Sequence, residues 1–212
     1  MNKITIREVC IDSIDQAMKA ERQGADRLEL CSALHLDGLT PKINEVYKVI
    51  KTIQIPVKVM VRCRDGNFIY NDSEISKMEE EIDLFKSMGV QEIVTGALTE
   101  SNYIDQNATK RLANRANPMK VTFHKAIDYT HDMLNQINIL SKINGINGIL
   151  TSGGEKTALE GIDNINKIIK KFGNRFKIIA AGSITNKNLE ILSKEIKTSE
   201  FHGKKIVGNI LV

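Results

Sequence analysis

Glu29, Arg62, His124, Lys125 and Asp128 bring two carboxylates, an imidazole and paired cations into one chain of 212 residues. Together these residue types can move a proton and neutralise the negative charge that its removal leaves behind. Glu29 or His124 would serve as acid or base, Arg62 and Lys125 would hold the anion, and Asp128 would orient Lys125 or His124 from the following loop. Lyase, isomerase or hydrolase chemistry on a small phosphate- or carboxylate-bearing metabolite fits these parts. No nucleophile elbow, Rossmann fingerprint or P-loop narrows the reaction. Two glycine-containing turns add to the anion reading. Ser152, Gly153 and Gly154 follow one strand pattern and Gly182 and Ser183 another, so their backbone N–H groups could approach a phosphate or carboxylate, with Arg64 alongside. Glycine after a strand is also ordinary turn chemistry.

The elements that must position these groups show in the periodicity. Short β-branched runs at 4–10, 27–30, 57–61, 92–95, 121–124, 149–152, 177–181 and 200–202 alternate with helical patterns. Thr40 with Pro41, Asp72, and the Thr157 and Glu160 pair are helix starts, and Gly24, Gly89, Gly145 and Gly173 are helix stops. Apolar residues at helical spacing, such as Ile75, Met78, Ile82 and Phe85, give each helix a face to bury. Strands that alternate with helices form a parallel sheet, and eight units of about 25 residues predict an α/β fold, a (β/α)8 barrel of the TIM type. The rival is a doubly wound open sheet. Residues 1–212 read as a single domain, because no linker composition divides them. Only residues 203–212 follow the last strand, so the eighth helix is short or missing, which would expose an apolar edge and favour a homo-oligomer.

Alternation along the strands then assigns the faces. Val57, Val59 and Val61 take the outer face of the third strand, so Lys58, Met60 and Arg62 point inward. By the same parity Glu29, Thr122 and His124 point inward, and Glu8 and His202 join them as supporting groups. Several ionisable groups inside a small barrel cost several kcal/mol unless they pair or serve a site, and a purely structural ion network is the competing explanation.

The 30 basic and 26 acidic residues are spread along the chain for a net charge of +4, which argues against a nucleic-acid partner. No apolar run reaches membrane length and the first residues enter a strand pattern directly, so a soluble, cytoplasmic protein is expected. Three cysteines without a CxxC pair suit a reducing compartment rather than a disulfide or zinc framework.

Several segments resemble the CutC family: 24–32, 59–62, 96–99, 118–125, 150–153 and 200–202, which run from the second strand to the eighth and so span nearly the whole chain. The resemblance implies a cytoplasmic, commonly oligomeric (β/α)8 barrel linked by name to copper homeostasis, with no settled enzymatic activity. The chain departs from the family pattern at Cys63, at 180–183 and at 203–205. Copper directs attention to the thiols. Cys10 and Cys31 end adjacent strands, whose lateral spacing of about 4.8 Å would let two soft sulfurs share one Cu(I), with Cys63 as a possible third ligand. Cysteine also packs as a small hydrophobe, so copper binding and the anion-binding enzyme both remain open.

Overall fold

A computed structural model describes residues 5–210, which places the predicted strand start at Ile4 outside the described residues. The elements run β1 Ile6–Ile11, α1 Ile14–Arg22, β2 Arg27–Leu30, α2 Ile43–Thr52, β3 Val57–Met60, α3 Asp72–Ser87, β4 Glu92–Thr95 and α4 Gln106–Ala116. They continue with β5 Lys120–Phe123, α5 Met133–Leu140, β6 Ile146–Thr151, α6 Ile162–Phe172, β7 Lys177–Ala180, α7 Leu189–Glu195 and β8 Glu200–His202. Every neighbouring pair is parallel, and β1 pairs with both β2 and β8, so the sheet closes in sequence order. Closure removes the two unpaired edges that a doubly wound sheet would keep, and the fold is a (β/α)8 barrel.

The outward residues Leu28, Leu30, Val59, Val61, Val121 and Phe123 pack against helix faces that include Ile75, Met78, Ile82, Phe85 and Ile165, all in one continuous core. Each such side chain contributes roughly 1.5–3 kcal/mol on burial. The inward residues form two smaller apolar clusters, Cys10, Cys31, Met60 and Val94 on one side and Leu150, Ile179 and Ala181 on the other. Between and below them the barrel interior is ionic.

Local signals misplace some boundaries. Thr40 does not cap α2, which starts at Ile43 with Lys42 before it; the Thr40 hydroxyl instead accepts from the Arg62 N–H at 2.9 Å and donates to Glu81 at 2.8 Å. Asn71 rather than Asp72 caps α3, in a reciprocal box with Glu74. Thr157 and Glu160 do bond reciprocally, but in a turn ahead of α6. β6 starts at Ile146 rather than 149, because Gly148 is an interior strand residue: a Cβ there would lie 2.7 Å from the Thr122 hydroxyl oxygen.

No α-helix follows β8 among the described residues. The segment after it bridges Thr185 to Lys205 and buries Ile206 and Ile210 in the core. The apolar edge expected there is therefore covered by the chain itself, because two isoleucines replace the missing helical face.

Candidate functional site

β1, β2 and β8 are neighbours in the closed sheet, and their inward side chains meet. Glu8 is completely buried and accepts from three cations: Arg27 Nε, Lys58 Nζ at 3.2 Å, and His202 Nδ1 at 2.8 Å. Arg27 also holds Glu200 at 2.6 Å, and Lys58 holds Glu92 at 3.0 Å and donates to Thr122 Oγ1 at 3.0 Å. Thr122 in turn donates to Glu92 at 2.7 Å. Burial works against the Glu8 carboxylate, yet Lys58, His202 and Arg27 hold its pKa well below the usual value. The lattice therefore stays ionised inside the barrel, each charge facing an opposite one.

On this lattice rests a second group. Cys10 Sγ and Cys31 Sγ lie 3.7 Å apart, and Glu29 Oε1 sits 3.9 Å from the first and 3.5 Å from the second. His202 hydrogen-bonds Cys10 and approaches Glu29 Oε2 to 3.9 Å. The thiol–thiol bond from Cys31, working against burial and joined by His202, draws the Cys10 pKa down to about 6. Donating that bond and being buried push Cys31 well above the usual thiol value. Burial raises Glu29 to about 7, partly offset by His202. For His202 burial opposes the charge, but Glu29, Cys10 and Glu8 keep it well above the ordinary histidine value. The arrangement packs together a thiol biased toward its thiolate, a thiol biased toward its protonated form, a carboxyl raised by burial and an imidazole biased toward its charged form.

Glu8, Glu29, Cys10, Cys31 and His202 thus converge, and Thr122 joins through Lys58. Cys63 does not; its strand parity sends it outward into the main core. His124 lies elsewhere, against Gly96 and 4.8 Å from the Phe68 ring. Its Nδ1 accepts from the Ala126 N–H at 3.2 Å, and burial, with Arg62 nearby, lowers its pKa to about 3. The neutral ring then carries its proton on Nε2, which is buried without a partner.

The anion-binding groups are already engaged within the protein. Arg62 donates to the carbonyls of Leu36, Gly38 and Gly66 at 2.8, 3.2 and 2.9 Å and stacks over Phe68. Arg64 is tied to Glu74 and to carbonyls of its own loop. The Asp128 carboxylate accepts from the Ser152 N–H and hydroxyl, both at 2.9 Å, from the Gly154 N–H at 3.0 Å, and from Thr151. Gly153 N–H goes to Thr151. Lys125 is half-exposed and 3.8 Å from Asp128. Gly182 packs tightly on Ser152 and Ala158, and the Ser183 carbonyl accepts from Asn188. An internal carboxylate therefore occupies the cup that the sequence offers to an external one.

Arg27, Glu92 and Glu200 belong to the lattice although residue type and motif do not single them out, and Lys58, inward by parity, takes its role only from its partners. The available signal is parity: Arg27 stands two residues before Glu29, and Glu200 two before His202. Two clefts of about 510 and 640 Å³ open at the opposite, N-terminal face and share Lys120 and Lys177. That end of a barrel ordinarily serves stability rather than chemistry, and the clefts lie away from the thiol pair.

Known proteins share both the sequence and the shape. A copper homeostasis protein cutC homolog of Homo sapiens is 41% identical over 197 residues, covering 93% of this chain and 72% of the human one. The Dictyostelium discoideum homolog is 38% identical, covering 92% and 80% of the two chains. The crystal structure of the copper homeostasis protein CutC from Streptococcus agalactiae superposes with a TM-score of 0.90 at 29% identity, over 95% of this chain and 99% of that one. With residues 5–207 matching the CutC family model, this chain belongs to that family.

Proposed function

We propose that the chain binds one Cu(I) as cargo between Cys10 and Cys31, with Glu29 beside it, inside a cytoplasmic barrel. The observation that carries the reading is the 3.7 Å separation of the two buried sulfurs. Two thiolates on one ion with metal–sulfur bonds of about 2.3 Å lie roughly 3.8 Å apart at a tetrahedral angle and roughly 4.6 Å apart at a linear one, so at most about 1 Å of separation between the sulfurs is needed. Glu29 Oε2 is a buried oxygen without a hydrogen-bond partner, as expected of a group with another ligand to serve. Thiolates are soft donors that select Cu(I), and the lowered Cys10 pKa supplies one thiolate in advance. The relatives' names point to the same metal.

The alternative, an enzyme acting on a small anionic metabolite, loses support because Arg62 and the 152–154 loop are engaged internally. Cytoplasmic residence agrees with three free cysteines, and no helix among the described residues is long and apolar enough to cross a membrane. We extend the reading to a homo-oligomer on the family resemblance alone, since the edge after β8 is covered by Ile206 and Ile210, and sedimentation returning only monomer would overturn it.

Anaerobic Cu(I) titration against a competing chelator tests the site. One equivalent is expected, abolished by Cys10→Ser or Cys31→Ser and retained in His124→Ala; binding that survives in both serine variants refutes it. Thermal-shift screening of phosphorylated and carboxylated metabolites on the same sample tests the alternative, which requires a shift lost in Arg62→Met.

A further inference from the structure

We infer that Met60 is a third sulfur donor to the copper held by Cys10 and Cys31, and that its thioether is what separates Cu(I) from Zn(II) at this site; the inference rests on the Cu(I) reading above. Met60 projects from the inner face of β3 and is buried. It belongs to the same small cluster as Cys10, Cys31 and Val94, closed on one side by Leu34 and separate from the main core. Three of those four buried residues carry sulfur.

The loop above shows how closely the sulfur side chains share one space. Gly38 has φ +87°, and a Cβ on it would stand 3.0 Å from Cys31 Sγ and 3.8 Å from Met60 Cε. The Gly38 backbone is thus a roof over both side chains, and it needs glycine for its left-handed conformation and for the space. Beneath it, Met60 has an unbranched stem with three rotatable bonds, so its sulfur can turn toward an ion without backbone movement.

The chemistry favours such a partner. A thioether is neutral, so its coordination releases no proton and adds no charge to a pocket that already holds two cysteines and Glu29. It is a soft donor suited to Cu(I), whereas Zn(II) is served by thiolate, imidazole and carboxylate. Cys10, Cys31 and Glu29 could serve either metal. Met60 is the member of the cluster that only the softer ion would use.

The test uses the full chain, loaded anaerobically with Cu(I), as wild type and as Met60→Leu, each with its methionines replaced by selenomethionine. Selenium-edge absorption should show a selenium–copper scattering path in the wild type that is absent from the variant. In chelator competition Met60→Leu should weaken Cu(I) by about tenfold or more and leave Zn(II) within roughly twofold. Cysteine-dependent Cu(I) binding without a selenium–copper path overturns the role of Met60 and spares the thiol site. A wild type that takes up no Cu(I), or that keeps it in both serine variants, overturns the underlying reading. If Met60→Leu does not fold, the scattering path in the wild type still decides. Equal weakening of both metals, with no path, marks Met60 as packing only.

Discussion

Replacing Lys58 with methionine keeps the length and most of the volume of the side chain and removes its charge from the centre of the barrel. Lys58 is 1% exposed and its ammonium meets Glu8 at 3.2 Å, Glu92 at 3.0 Å and Thr122 at 3.0 Å. Glu8 would keep Arg27 and His202, but Glu92 would face only the Thr122 hydroxyl. Removing one member of a buried ion pair costs about 3–5 kcal/mol, because the remaining charge loses its partner without regaining water. For a chain of this length that is a fall of roughly 6–20 °C in Tm. Urea unfolding followed by circular dichroism measures the loss. It should be nearly the same at low ionic strength and in about 1 M salt, since buried pairs are poorly screened. Adding Glu92→Gln to Lys58→Met removes the stranded charge, so the double variant should lose about 1–3 kcal/mol less than the sum of the singles. A loss under about 1 kcal/mol for Lys58→Met, or additivity within about 0.5 kcal/mol, would refute the idea that the lattice is held by mutual neutralisation.

His124→Asn tests the neutral histidine. Asparagine can still accept from the Ala126 N–H, while the titrating ring is gone. The folded pKa of about 3 lies below the ordinary 6.5, so between those values the unfolded chain binds a proton that the folded chain does not, and acid destabilises the wild type. From pH 6.5 to 4.5 the wild type should lose about 2.3 kcal/mol relative to the variant, and parallel pH profiles would count against it. Asp128→Ala strands two backbone N–H groups and the Thr151 hydroxyl, while the Ser152 hydroxyl keeps the Glu155 carbonyl, at a cost of about 3 kcal/mol. Acetate or phosphate should then raise the Tm of the variant and not of the wild type; equal responses would show that the loop is no anion cup.

Much of this protein is legible in its residues alone. The period-two runs and the Gly24 and Gly89 stops mark the βα units, because strand pleat and left-handed helix ends are local properties, whereas Gly145 lies in the turn before β6, beyond the end of α5 at Leu140. Parity alone turns Glu8, Glu29, Lys58, Thr122, His124 and His202 inward, and adjacency of the first two strands brings Cys10 toward Cys31. What local pattern cannot hold is the pairing between strands. Arg27 and Glu200 are 173 positions apart and meet because β8 closes onto β1 in one register. The same closure brings His202 onto Glu8. Nor does residue type reveal that the donors of Arg62 and Ser152 are taken by neighbours, since Leu36, Gly38 and Asp128 reach them only through loop geometry. Residue chemistry and alternation determined which groups face the interior. Barrel closure and loop packing decided which of them are spent on one another: Arg62 and the donors of the 151–154 loop are taken by neighbours, while Cys10 and Cys31 face each other beside the ion lattice.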